Sequence, residues 1–147
     1  MNKNFTAIAH TADLQLKITG NSQADLFRNA MVGMFQTVRP YSPNCKYEDD
    51  LMVCSSFNRE HKISLTSPDI EILLVDFLSE ALYLSDAYGQ AYLDADIHNI
   101  SPTSIDVTIK GVDIERFEVV EIKAVTFHDL SVVEKNGTWT ANVVFDI

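Results

Sequence analysis

The chain has 147 residues, 46% of them hydrophobic and 22% charged, which fits one folded domain over 1–147 and excludes a disordered chain. Eleven lysines and arginines against 21 aspartates and glutamates give a formal net charge of −10. Few basic side chains are available to neutralise phosphates, so direct, sequence-independent binding of nucleic acid is not expected.

The sequence carries no sign of export or of membrane insertion. Its first twenty residues lack the apolar core of a secretion signal, and no run of about 18 apolar residues could span a membrane. Cys45 and Cys54 form no CxxC pair, which excludes a cysteine zinc cluster and a disulfide framework and suits a reducing cytosol. We therefore expect a cytoplasmic protein.

The start of the chain predicts a strand followed by a helix. Residues 14–18 alternate between apolar and polar side chains, as in a half-buried strand, and a turn follows at Gly20. Ser22 is suited to cap a helix, and apolar side chains follow it at helical spacing. We predict a first helix over 22–38 whose apolar side chains pack in the core.

The central part of the chain predicts a loop, two short strands and a second helix. Two prolines and an acidic end mark 39–50 as a loop, and 51–57 and 62–65 have the composition of strands about a short turn. Ser67 and the proline after it form a favourable helix start, and a wide apolar stripe predicts a helix over 68–85.

The last third of the chain predicts two hairpins. Alternation over 93–98 and 105–110 indicates one, while 130–135 and 138–147 flank an Asn-Gly pair, the strongest short hairpin signal. The segment 119–128 between them is expected to be extended or irregular. The sequence thus predicts an α+β fold, a single domain with a mainly antiparallel β-sheet packed against two α-helices.

Motifs for nucleotide-binding loops, the serine-hydrolase elbow and zincin metal sites do not occur in the sequence. Asp94, Asp96 and His98 alternate along one predicted strand, so their side chains share a face. This spacing could ligate a metal, but it is more typical of a solvated outer face.

Oxygen donors are concentrated at the start of the first predicted strand and at the end of the last one. Asp13 follows His10 at the entry to its strand, and Asp146 is followed at once by the α-carboxylate of Ile147. If Asp13 lies beside the last strand, these groups form a hard, oxygen-rich pocket suited to calcium, magnesium or manganese. The alternative is a solvated strand end near an unrelated loop.

The segment 123–130 combines a lysine, a hydroxyl, an imidazole and an acid within eight residues. Lys123 and His128 are therefore candidates for a functional surface. The alternative is that Lys123 is an ordinary surface lysine and His128 a structural histidine.

Three stretches of this sequence together resemble the archease family. They are HTAD at 10–13, EIKAVTFHDL at 121–130 and WTANVVFDI at 139–147, and the pattern of the second predicted helix is also similar. Phe127 stands where the family usually has tyrosine, so we assign no hydroxyl chemistry to that position.

The resemblance implies an accessory protein rather than an enzyme. Archeases assist the RtcB-type RNA ligase, which uses GTP and manganese and passes through a guanylylated histidine in tRNA splicing and RNA repair. They promote this guanylylation and multiple turnover. Direct nucleotide binding is not expected, and RNA contact is expected through the ligase.

The resemblance also implies a divalent metal ion, with calcium the usual occupant and magnesium or manganese as alternatives. Its ligands would be Asp13, Asp146 and Ile147. Three further residues are expected to flank this site or to contact the ligase, namely His10, Lys123 and His128. No residue is expected to be catalytic.

Two functions of other classes remain open. A metal-dependent hydrolase would use the two aspartates with His10 and His128 around an activated water. A general chaperone-like binding module would need an exposed apolar patch, for instance around Met31, Met34 and Phe35.

Overall fold

A computed structural model of the chain describes residues 3–9 and 13–147. These residues form two helices, α1 (Gln23–Thr37) and α2 (Ile70–Tyr88), and twelve strands. The strands are β1 (Phe5–Ala9), β2 (Asp13–Gly20), β3 (Pro40–Tyr41), β4 (Cys45–Glu48), β5 (Leu51–Cys54), β6 (Arg59–Thr66), β7 (Gln90–Ser101), β8 (Ser104–Asp113), β9 (Arg116–Phe117), β10 (Ala124–Val125), β11 (Ser131–Lys135) and β12 (Thr138–Asp146).

All strand pairs among the described residues are antiparallel. The largest sheet has the order β1-β2-β12-β10, with β11 also paired to β12, and a second sheet has the order β6-β8-β7. Two further pairs, β3-β9 and β4-β5, stand apart. Helix α1 contacts β2 and β7, hence both larger sheets, and α2 packs on β6, β7 and β8. The predicted α+β fold with two helices is confirmed.

The apolar stripe of α1 belongs to the hydrophobic core. Met31, Met34 and Phe35 are at most 1% exposed, and Phe35 meets Tyr92 edge-on at 5.6 Å. The exposed patch suggested for a chaperone-like protein is therefore wrong at these residues. Burying each such side chain contributes about 1.5–3 kcal/mol, which is why their spacing fixes the inner face of the helix.

The N-cap residue predicted from the sequence is confirmed for α1 but not for α2. Ser22 caps α1, since its hydroxyl accepts the Asp25 N–H at 3.0 Å. The predicted start of α2 at Ser67 is wrong, because Asp69 accepts the Ile72 N–H at 2.9 Å while the Ser67 hydroxyl donates to a more distant carboxylate on the helix. Two cap-forming residues lie close together here, and the carboxylate occupies the cap.

The segment 39–66 departs most from the prediction. The predicted loop contains β3 and β4, and β5 pairs with β4 rather than with β6, which instead pairs with β8. Cys45 and Cys54 are directly opposed in the β4-β5 register, with Cα atoms 4.3 Å apart, and form a disulfide. The expectation that these cysteines stay unpaired is wrong, because the strand β4 that aligns them was not predicted.

Both predicted hairpins of the last third are confirmed as β7-β8 and β11-β12. The second turns at Asn136 and Gly137, whose φ values of 54° and 82° are those that an Asn-Gly hairpin turn requires. Strand β1 was not predicted. Neither helix in the described part of the chain is long and apolar enough to cross a membrane.

Candidate functional site at the end of the large sheet

The two aspartates singled out from the sequence lie opposite each other. Strands β2 and β12 pair along their whole length, and the last pair of their register is Asp13 with Asp146. In the preceding pair, Leu14 and Phe145, both side chains lie on the face of the sheet that packs against α1, and every second pair along the ladder repeats this orientation. The aspartates therefore point to the opposite face, where directly opposed residues have Cβ atoms about 4.5–5.5 Å apart.

The end of β12 is held on both edges, which fixes the position of Asp146. On one edge it pairs with β2, and on the other the Lys123 N–H donates to the Asp146 carbonyl at 2.8 Å. Thr126 adds two hydrogen bonds to the Val144 carbonyl, from its N–H at 3.0 Å and its hydroxyl at 2.9 Å. A site built here therefore rests on three adjacent strands of the sheet rather than on a loose chain end.

Electrostatics and ligand chemistry at this edge favour a hard cation. Directly opposed like charges destabilise a ladder, and a divalent cation between two carboxylates converts that repulsion into coordination. Asp13 is half-buried and Asp146 is exposed, so one carboxylate of the pair is partly enclosed by the protein and the other faces solvent. Within 3–9 and 13–147 no group of three or more His, Cys, Asp or Glu side chains is arranged to hold a metal, and Asp13 and Asp146 are the two carboxylates that this edge brings together.

The structure brings the main chain of Lys123 to this edge, and His128 lies farther along the same segment, beyond Thr126. Lys123 is exposed and hydrogen bonds through its main chain to Asp146. The His128 N–H donates to the Thr126 hydroxyl at 3.2 Å, and Thr126 bonds to the Val144 carbonyl, two residues before Asp146. The exposed His128 side chain contacts the neighbouring Asp129 carboxylate at 3.3 Å. His10 lies outside the described residues.

Thr126 contributes to the site in a way that the sequence did not reveal. Its hydroxyl both donates to the Val144 carbonyl and accepts the His128 N–H at 3.2 Å. It therefore ties the segment that carries Lys123 to the strand that carries Asp146. Thr126 stands two residues after Ala124 in an extended segment, so the two side chains share a face, and this was the available signal in the sequence. Threonine is too common in strands for that position to single it out.

The alternative metal face along β7 is occupied by internal contacts. The Asp94 carboxylate accepts from Arg28 at 2.7 Å, and that of Asp96 pairs with Lys110 at 2.5 Å. The Lys110 ammonium also lowers the pKa of Asp96, first by its hydrogen bond and then by its charge. These carboxylates thus belong to a solvated, ion-paired outer face, the interpretation favoured by their spacing.

A comparison with known protein families identifies the family to which this chain belongs. The family model described as the Archease protein family (MTH1598/TM1083) matches residues 5–147. The chain belongs to the archease family. Among similar archeases are those of Methanosarcina mazei, 33% identical over 99% of this chain and 97% of that protein, and of Pyrococcus abyssi, 27% identical over 99% of both chains.

Two solved structures share the archease fold seen here. The solution structure of Methanobacterium thermoautotrophicum protein 1598 aligns over 99% of this chain and all of that chain, with a TM-score of 0.71 and 24% identity. The crystal structure of a Thermotoga maritima archease, described as a possible chaperone, aligns over 95% and 94% of the two chains, with a TM-score of 0.61 and 23% identity. The two helices and antiparallel sheets are therefore an archease architecture.

Proposed function

We propose that this archease activates an RtcB-type RNA ligase by promoting its guanylylation with GTP and its multiple turnover, in tRNA splicing or RNA repair. The observation that carries the proposal is the pairing of Asp13 with Asp146 at the end of β2 and β12. This edge presents carboxylate oxygens on a firm support, and the ligase is an enzyme that depends on manganese.

The proposed metal site uses Asp13, Asp146 and a main-chain oxygen of Ile147, which directly follows the second aspartate. Calcium, magnesium and manganese all prefer such oxygen donors. A bound ion would supply positive charge at an acidic edge, or would pass to the metal centre of the ligase. The chain's own contribution is to hold two carboxylates in register and to present them toward a partner.

Charge supports an accessory role beside an RNA enzyme. The net charge of −10 disfavours contact with RNA phosphates but complements the basic surface that an RNA-binding enzyme needs. Lys123 is exposed and its main-chain N–H bonds to Asp146, which supports a role for its side chain in contacting an acidic group or a phosphate at the ligase surface.

Multiple-turnover RNA ligation by an RtcB-type ligase, with GTP and manganese, tests this function. The wild-type chain should raise the number of turnovers, and Asp13→Asn and Asp146→Asn should each lower that stimulation at least tenfold. Asn has nearly the same shape as Asp, so loss of the ligand charge is the main change. No stimulation by the wild-type chain would contradict the proposal.

Asp49→Asn is the matched control for these two variants. Asp49 is exposed in a turn at a φ of 50°, a conformation that Asn accepts readily, and it lies outside the acidic edge. This variant should stimulate the ligase as the wild type does. Equal stimulation by the Asp13, Asp146 and Asp49 variants would show that the aspartate pair has no part in the function.

A further inference from the structure

A surface groove lies beside the acidic edge. It has a volume of about 550 Å³ and opens to solvent between the last turns of α2 and the extended segment 121–125. Leu82, Tyr83 and Asp86 line it from the helix, and Phe117 lines it from β9. We call this feature the α2 groove.

The α2 groove has an apolar floor that the fold leaves partly uncovered. Leu82, Phe117, Ile122 and Val125 pack against the hydrophobic core, yet each keeps part of its surface accessible within the groove. Tyr83 also lines the groove and is 63% exposed. Apolar surface of this kind at a groove favours an apolar side chain of a ligand.

Two acidic side chains, Asp86 and Glu121, and one basic side chain, Lys123, line the groove, and the excess of acidic groups defines the second property of the ligand. Asp86 and Glu121 are exposed, and neither forms an ion pair within the part of the chain that the structure describes. The whole molecule carries −10, so an acidic ligand would be repelled from this face. A ligand with a basic group beside an apolar one matches both properties.

The groove is continuous with the acidic edge. Lys123 and Ala124 line the groove, and the same two residues join β12, Lys123 through its N–H to the Asp146 carbonyl at 2.8 Å and Ala124 by pairing with Asp146. The groove therefore reaches Ala124, the residue that pairs directly with Asp146. This places the groove at the border of any surface that docks on that pair.

We infer that the α2 groove binds an extended segment of the ligase partner in which an apolar side chain stands next to an arginine or a lysine. The apolar side chain occupies the floor beside Leu82 and Tyr83, and the cation lies between Asp86 and Glu121. This inference rests on the proposed function, because it names the ligase as the partner. The groove would supply affinity and orientation, whereas the aspartate pair would act on the ligase centre.

Binding of the full chain to an immobilised RtcB-type ligase, measured by biolayer interferometry, tests the groove apart from the function. The double variant Asp86→Lys/Glu121→Lys should raise Kd at least tenfold, and Tyr83→Ser should raise it severalfold. The double variant Glu60→Lys/Glu134→Lys makes the same change in net charge at exposed positions outside the groove, and its Kd should stay within twofold of the wild type. Circular dichroism of each variant serves as the control for folding.

Ligation at saturating protein separates binding from activation. The groove variant should recover wild-type turnover at high concentration, because its aspartate pair is intact, whereas Asp146→Asn should bind normally without activating. A wild-type chain that stimulates the ligase, together with unchanged Kd values for both groove variants, would overturn the groove inference alone. An equal loss of affinity in the Glu60/Glu134 control would also overturn it. A wild-type chain that neither binds nor stimulates would contradict the proposed function as well.

Discussion

At the scale of single residues, Gln36 shows how one buried amide can hold two elements together. From the last turns of α1 it donates to the Met52 carbonyl at 3.1 Å and accepts the Met52 N–H at 2.8 Å. Both residues are at most 3% exposed. The side chain thus replaces a strand neighbour that β5 lacks on this edge, and it docks the β4-β5 hairpin on the helix.

Replacement of Gln36 by Leu should lower the free energy of unfolding by about 2–4 kcal/mol, because it leaves a buried N–H and a buried carbonyl of Met52 without partners. Urea unfolding measures this change. Gln23→Leu is the matched control on the same helix, since Gln23 makes a single bond to the Ser101 carbonyl from a half-exposed position. Its cost should be below about 1 kcal/mol, and equal costs for the two variants would contradict the docking role.

The ion pair of Asp96 with Lys110 predicts a pH dependence with a definite sign. Lys110 lowers the pKa of Asp96 in the folded chain, so the stabilisation is present above the unfolded pKa and is lost as the pH falls through the folded pKa. The stability difference between wild type and Asp96→Asn should therefore decrease as the pH falls below about 4. Urea unfolding across this range measures it. In a Lys110→Gln background the same substitution should show a much smaller pH-dependent difference.

The candidate site was predictable from the sequence only in part at this scale. Spacing placed Asp13 and Asp146 at strand ends, and the family resemblance joined them, but their direct opposition depends on the β2-β12 register. In that register the two aspartates are 133 positions apart in sequence, which no local pattern encodes. The link from His128 through Thr126 to Val144 depends on tertiary contacts of the same strand, so spacing alone could not reveal it.

At the scale of elements, the β4-β5 hairpin combines a short ladder with a covalent link. Cys45 and Cys54 are nine positions apart in sequence, and the two strands make no ladder with any other strand described. Closing so small a loop contributes about 2–3 kcal/mol through the entropy of the unfolded chain. The disulfide and the two hydrogen bonds of Gln36 therefore add to the pairing of the two strands.

The double variant Cys45→Ser/Cys54→Ser should lower the free energy of unfolding by about 2–3 kcal/mol. Dithiothreitol should lower the stability of the wild type by a similar amount and leave the variant unchanged. Chemical unfolding with and without the reductant gives both values. A wild-type chain that is insensitive to dithiothreitol would show that the disulfide does not contribute to stability.

Elements with strong local signals were the ones that the sequence predicted. Both helices and the Asn136-Gly137 hairpin follow from apolar periodicity and from turn chemistry, which act over a few residues. By contrast, β3 and β9 are two residues long and pair with each other from distant parts of the chain, so propensity alone could not reveal them. Strand β4 forms a local hairpin with β5, but the two prolines and the acidic end of 39–50 led to the prediction of a loop.

At the scale of the whole molecule, two features of different chemistry meet at one end of the largest sheet. The aspartate pair ends β2 and β12, and the α2 groove begins at the neighbouring Lys123 and Ala124. An acidic protein with few lysines and arginines has little electrostatic attraction to RNA but a strong attraction to a basic protein surface. This arrangement fits a protein that docks on a ligase and presents carboxylates to it.

The guanylylation step tests the central claim most directly. With radiolabelled GTP and manganese, transfer of label to an RtcB-type ligase is measured over time with no addition, with the wild-type chain and with Asp146→Asn, each at saturating concentration. We predict that the wild-type chain accelerates labelling at least tenfold and that Asp146→Asn leaves the basal rate unchanged. Equal acceleration by both proteins, or none by the wild type, would contradict the account.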